Sequence, residues 1–193
     1  MWNLDLALAD VVATSTDPAL GAIRLAWRRE RLEELDSGAA PAEPRLRAIA
    51  RQLVERGISG KDLAKLEDGW LPLLAGIPWG EAQAAGLKER GRLLFGIGAK
   101  LLGGRAADGE VAGALWSMAD GAAHVSDPGS RDMLLAEARK ALAELPTRSS
   151  PIVRPLTVLA ALAANDLLRG EGGARRVAAA LAHQLRGTFP RGG

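Results

Sequence analysis

Cysteine is absent from all 193 residues, which excludes disulfides, thiolate nucleophiles and zinc–sulfur sites and fits a reducing compartment. Tyrosine is also missing and phenylalanine occurs only at Phe95 and Phe189, so aromatic volume rests on Trp2, Trp27, Trp70, Trp79 and Trp116. Asp5 and Asp10 interrupt the N-terminal segment and no basic region precedes it, so a secretory signal is not expected. The longest apolar run towards the C-terminus, Leu156 to Ala164, falls short of the roughly 20 residues that span a bilayer. These absences lead to a soluble, cytoplasmic protein with at most peripheral membrane contact.

Apolar residues make up 48% and charged residues 25%, the balance of a globular chain long enough for a real core. The net charge is only +2. Charges of both signs interleave in Arg28-Arg29-Glu30-Arg31 and Glu33-Glu34, as on a solvated helix face. A nucleic-acid stripe would be one-sided, so no nucleic-acid partner is expected.

Period-2 alternation is missing, whereas apolar residues recur at i, i+3 and i+4 in a chain rich in Leu and Ala. The spacing predicts about eight helices in one all-α domain over 1–186, with a frayed tail over 187–193. The first helix runs from Trp2 to Thr14. Asp17 caps a second, with Pro18 at its first position, that continues to Asp36 on a stripe of Leu20, Ile23, Trp27, Leu32 and Leu35. A loop over Ala39 to Pro44 leads to a third helix ending at Gly57, and Ser59 caps a fourth. Trp79 to Leu102 forms a long helix punctuated by Gly86, Gly91, Gly96 and Gly98, a sign of close helix approach. Asp108 to Val125 follows, then a helix capped by Asp127-Pro128. Another starts at Ser150-Pro151 with Ile152, Leu156, Leu159 and Ala163 on one face, and the last covers about Ala174 to Leu185.

Few residues suggest chemistry. Asp120 and His124 share a helix face at i, i+4, one edge of a metal site without a third ligand nearby in sequence. Asp127 precedes a proline and reads as an N-cap. No serine sits in a G-x-S-x-G elbow, and the glycine pairs follow no strand, so they read as helix ends. Arg24 and Arg28 lie i, i+4 beside Trp27, and guanidinium forks there suit a diphosphate or a phospholipid head. The plainer reading makes them a solvated flank with Trp27 packed in the core.

Asn3 to Leu35 resembles the squalene/phytoene synthase family. The carriers are Asn3-Leu4-Asp5-Leu6-Ala7, the Thr-Ser-Thr-Asp-Pro corner ending at Pro18, and Arg24-Leu25-Ala26-Trp27-Arg28-Arg29-Glu30-Arg31-Leu32. Weaker likeness continues through Leu63 to Leu74 and Gly113 to Asp127, out to about Arg186. The resemblance implies an isoprenoid-synthase-like helical bundle. In the active enzymes two Asp-x-x-x-Asp motifs face each other, and each presents two carboxylates that hold Mg²⁺ against a diphosphate. Laid on this chain, the first motif falls at Ala7 to Val11 and leaves Asp10 alone. The second falls at Ala123 to Asp127 and keeps only its final aspartate.

The closer likeness is to the family's assembly-factor branch, which also lacks the aspartate pairs and whose mitochondrial members are associated with building respiratory complex I. The chain begins where family members are already inside the domain, so a leading helix is expected to be missing. The resulting expectation is a pseudoenzyme: a non-catalytic lipid- or partner-binding assembly factor with no metal and no cofactor. Its groove would be marked by Arg24, Trp27, Arg28, Asp120, His124 and Asp127, and would hold an apolar lipid or a partner helix. One alternative is a head-to-head prenyl-diphosphate transferase with an altered Mg²⁺ site built from Asp10, Asp120 and Asp127. The other is a structural homo-oligomer without a ligand.

Overall fold

The computed structural model describes residues 1–38, 42–170 and 172–192; the expected loop over Ala39 to Pro44 lies partly outside the described residues. The all-α class holds. Among the described residues the sole β pairing is one bridge between Arg148 and Thr188. The helices sort into two compact units, Met1–Ile77 and Pro78–Gly193.

In the first unit, α1 (Trp2–Thr14) buries Leu4, Asp5, Ala7, Leu8 and Val11. The Asp17 carboxylate accepts the Ala19 N–H at 2.7 Å and starts α2 (Pro18–Glu33), as the sequence leads one to expect. The last turn of α2 tightens into a 3-10 turn, Glu34–Ser37, which ends at the left-handed Gly38. α3 (Pro44–Gln52) is followed by a 3-10 turn, Val54–Arg56, which ends likewise at Gly57, φ 85°. Ser59 accepts the Asp62 N–H at 3.0 Å and opens α4 (Gly60–Ala64), with α5 (Leu66–Trp70) beyond it. Asp36 accepts the first two amides of α4, Gly60 at 2.6 Å and Lys61 at 3.1 Å, which ties the end of α2 to the start of α4.

The expected stripe of α2 is buried at Leu32 and Leu35, and elsewhere the buried face differs from it. Gly21, Leu25 and Leu32 face inward, with Gly21 set against Leu74, while Leu20, Ile23 and Trp27 are exposed. This helix is apolar on two faces, and the face carrying the glycine permits the closer approach. Trp27 is therefore not a core residue; it is 50% exposed. Trp27→Ala is expected to cost no more than about 1 kcal/mol by denaturant unfolding, against about 3–5 kcal/mol for a core tryptophan.

The second unit contains α6 (Glu81–Leu101), α7 (Ala107–His124), α8 (Pro128–Glu144), α9 (Arg154–Arg169) and α10 (Gly173–Arg186). α7 is its centre and packs on α6, α8 and α9, while α10 packs on α9. The α6–α7 seam is close. A methyl group on Gly91 would collide with the Gly113 carbonyl, and one on Gly109 would sit 2.6 Å from the Phe95 oxygen. Phe95, fully buried, stacks on Trp116 with ring centroids 5.4 Å apart, and the buried Arg90 guanidinium lies over the Trp116 ring. Of the glycines expected to mark close approach, Gly91 does so, whereas Gly96 has only ordinary neighbours at 3.4 Å and beyond.

The stretch Pro151–Arg169, formed by a 3-10 turn and α9, has the length and composition to cross a bilayer, although its strictly apolar run is short. It packs on α7 and α10 and buries Thr157 and Asn165. Ile152, expected to share a face with Leu156, Leu159 and Ala163, is exposed, whereas Leu156 and Ala163 are buried. The tail expected to fray is pinned as far as residue 191. Phe189 is buried on the His183 ring at 4.6 Å, and the Gly187 carbonyl accepts the Ser149 N–H at 2.8 Å. Arg191 donates to the carbonyls of Leu145 and Pro146. One buried aromatic ring and these hydrogen bonds outweigh the loop-like glycine and proline composition that suggested fraying.

Candidate ligand cavity

The second unit holds a half-open cavity of about 580 Å³ among α7, α8, α9 and the start of α10. This lies within the range of roughly 300–1,000 Å³ common to small-molecule sites. Its wall is apolar at Trp116, Leu135, Leu159, Leu162, Ala163 and Leu167. α8 adds Arg131 and Arg139, each one helical turn from Leu135, so a single face carries cation, leucine and cation.

The polar groups are not equivalent. Arg131 caps the end of α7 by donating to the carbonyls of Ala122 at 3.3 Å and Val125 at 3.1 Å. Asp166 pairs with Arg176 at 3.5 Å. Asp120 lies 3.7 Å from the Nδ1 of His124, which also meets the Asp120 carbonyl at 2.7 Å; the His124 ring is largely in solvent. Arg139 is exposed and forms no ion pair among the described residues. Three guanidinium groups thus face two carboxylates, one of them already paired, and the wall carries a positive excess.

The six residues marked by the sequence fall into separate places. Arg24, Trp27 and Arg28 come together on the first unit, around a shallower hollow of about 380 Å³ that also takes in Asp10, Val11, Thr14 and Ile23. Asp120 lines the cavity of the second unit, with His124 beside it. Asp127 lies apart from the lining as the N-cap of α8. It accepts from the Ser130 amide at 2.7 Å and the Ser130 hydroxyl at 2.6 Å, and these bonds hold its carboxyl below the usual range. Among the described residues, no three His, Asp or Glu side chains come together at metal-binding distance.

Two acidic residues of the first unit serve structure. Asp5 is buried and accepts the Trp70 indole N–H at 2.9 Å. Glu67 is buried, which pushes its carboxyl up, while Arg29 at 3.0 Å pulls it back down. Sequence reasoning missed Trp116, Arg131, Arg139, Asp166 and Arg176 as a group. Arg131-Leu135-Arg139 at i, i+4, i+8 is the signal that could have found part of it. Compared with protein-family models, with curated proteins and with solved structures, the chain gives no match.

Proposed function

We propose that the chain is a non-catalytic binding protein whose second unit holds an anionic amphiphile, with the apolar tail in the cavity and the head at the arginines of α8. The observation that supports this reading is the lining itself, with leucine, alanine and tryptophan walls beside Arg131 and Arg139. An apolar wall takes a hydrocarbon chain out of water, at roughly 25 cal/mol per Å² of apolar surface. Guanidinium forks take a phosphate or carboxylate by paired hydrogen bonds. The reading agrees with the resemblance to the assembly-factor branch of the squalene/phytoene synthases, in which the scaffold is kept and the aspartate pairs are not. A partner-protein helix is the other occupant that the resemblance implies.

Titration calorimetry with dodecyl phosphate and dodecanol, without metal, tests the proposal. Dodecyl phosphate is expected to bind at least tenfold more tightly than dodecanol. Ala163→Trp, which fills the wall, is expected to weaken both, and Arg139→Glu to weaken the phosphate alone. Absence of binding by either amphiphile would remove the proposal. So would Mg²⁺-dependent conversion of farnesyl diphosphate to a prenyl–prenyl product, which would restore the transferase alternative.

A further inference from the structure

α10 is covered on one side only. Ala179 and His183 are buried beneath it, and Arg176 turns to Asp166 at the cavity. On the opposite side Val177, Leu181 and Leu185 recur every fourth residue and are 59%, 56% and 75% exposed. At about 1.5 Å per residue they draw one line roughly 12 Å long, with the exposed Ala178 beside it and the exposed Ala174 about one turn before Val177. A single exposed leucine needs no explanation, but a row in register along the outer face of an amphipathic helix does.

Charge identifies what the row meets. α10 carries Arg175, Arg176 and Arg186 and no carboxylate. From Leu145 onward the chain has seven arginines against two carboxylates, while the preceding 144 residues carry 18 basic and 21 acidic side chains. The near-neutral whole therefore hides a cationic segment, and the row lies within it. At about 100° per residue, Arg175 and Arg186 lie together roughly 120–140° around the helix from the middle of the row, on the shoulder beside buried Ala179, from which long guanidinium side chains can reach back towards a surface that the row enters. A second copy would bring together two helices that each carry arginines and no carboxylate. A partner helix would need holes to receive it, whereas this face offers a row one residue wide.

We infer that α10 is an interfacial anchor that lies in the plane of an anionic lipid bilayer. Val177, Leu181 and Leu185 enter the boundary between headgroups and acyl chains, and Arg175 and Arg186 engage lipid phosphates. All seven cations of the segment are arginine, the side chain whose planar fork matches phosphate. The inference is independent of the amphiphile in the cavity, since the row and the cavity use different faces of the helix.

Co-sedimentation of the full chain with vesicles tests it, using phosphatidylcholine alone and phosphatidylcholine mixed with phosphatidylglycerol. Partitioning to the mixed vesicles is expected to be at least tenfold stronger and to weaken as salt is raised. Leu181→Glu is expected to reduce it at least tenfold, and Arg186→Glu about fivefold or more. Both variants should keep the parent's helical circular dichroism and its affinity for dodecyl phosphate, while Ala163→Trp should still bind vesicles. Failure of the parent to bind mixed vesicles would overturn the inference, as would equal binding to both lipids or unchanged binding by a folded Leu181→Glu. Sedimentation of a dimer that Leu181→Glu dissolves, without vesicle binding, would assign the row to a second copy. Capture of an acidic amphipathic peptide in place of vesicles would assign it to a protein partner.

Discussion

Gly113→Ala is expected to lower the stability of the protein by about 3 kcal/mol or more, a fall of roughly 6–12 °C in Tm for a chain of this size. The added methyl group overlaps the Gly91 carbonyl oxygen and comes within 2.7 Å of the Phe95 Cβ. The first obstacle is backbone of a buried helix, so no flexible side chain can move aside. The two helices must separate, which strips contacts from Phe95, Trp116 and Ser117 along the seam. Gly96→Ala supplies the internal comparison. Its new Cβ meets the Ala106 Cβ and Glu110 Cγ at 3.4 Å, and alanine gains about 1 kcal/mol over glycine within a helix. That variant is expected to be neutral or slightly stabilising by thermal unfolding. If the two behave alike, the seam is not close-packed.

His183→Ala is expected to cost about 2–4 kcal/mol and to remove one part of the pH dependence of unfolding. His183 Nδ1 lies 3.2 Å from the Thr188 carbonyl and Nε2 lies 2.8 Å from the Thr157 hydroxyl, which in turn meets Ser149 at 2.9 Å. In the neutral ring, Nδ1–H donates to Thr188 and Nε2 accepts from Thr157. Deleting the ring leaves these groups without their partner, and Phe189 faces a void. Burial, with a smaller contribution from the Arg154 charge, keeps the ring below its ordinary pKa of 6.5, while the Thr188 carbonyl partly restores it. The unfolded chain therefore takes up the proton first. Stability supplied by the neutral ring is complete above the ordinary value and is lost as pH falls through it towards the depressed value of the folded state. Denaturant midpoints of the parent should show that decline, and those of His183→Ala should lack it.

Capping chemistry made three helix starts legible, because Asp17, Ser59 and Asp127 act through bonds to amides two or three residues ahead. The faces of the helices were less legible. α2 offers apolar side chains on two sides, and a glycine with no hydropathy signal decides which is buried. The α6–α7 seam was half visible in Gly91. Its other half is Gly109, Gly113, Ser117 and Gly121 on α7, small residues four apart whose meaning depends on the opposing backbone. The cavity was the least legible feature, since its lining comes from four helices and only Asp120 among the residues marked in advance belongs to it.

The join around His183 also constrains how the second unit can be made. Residues 183–191 fasten onto positions 145–157 through the Gly187, Thr188 and Arg191 contacts and enclose α9 between segments distant in sequence. A nascent chain paused anywhere before residue 191 has cleared the ribosome therefore carries α9 uncovered on one side. That leaves the stretch with the length and composition to cross a bilayer available to chaperones, or to a neighbouring nascent chain, until synthesis has passed that point.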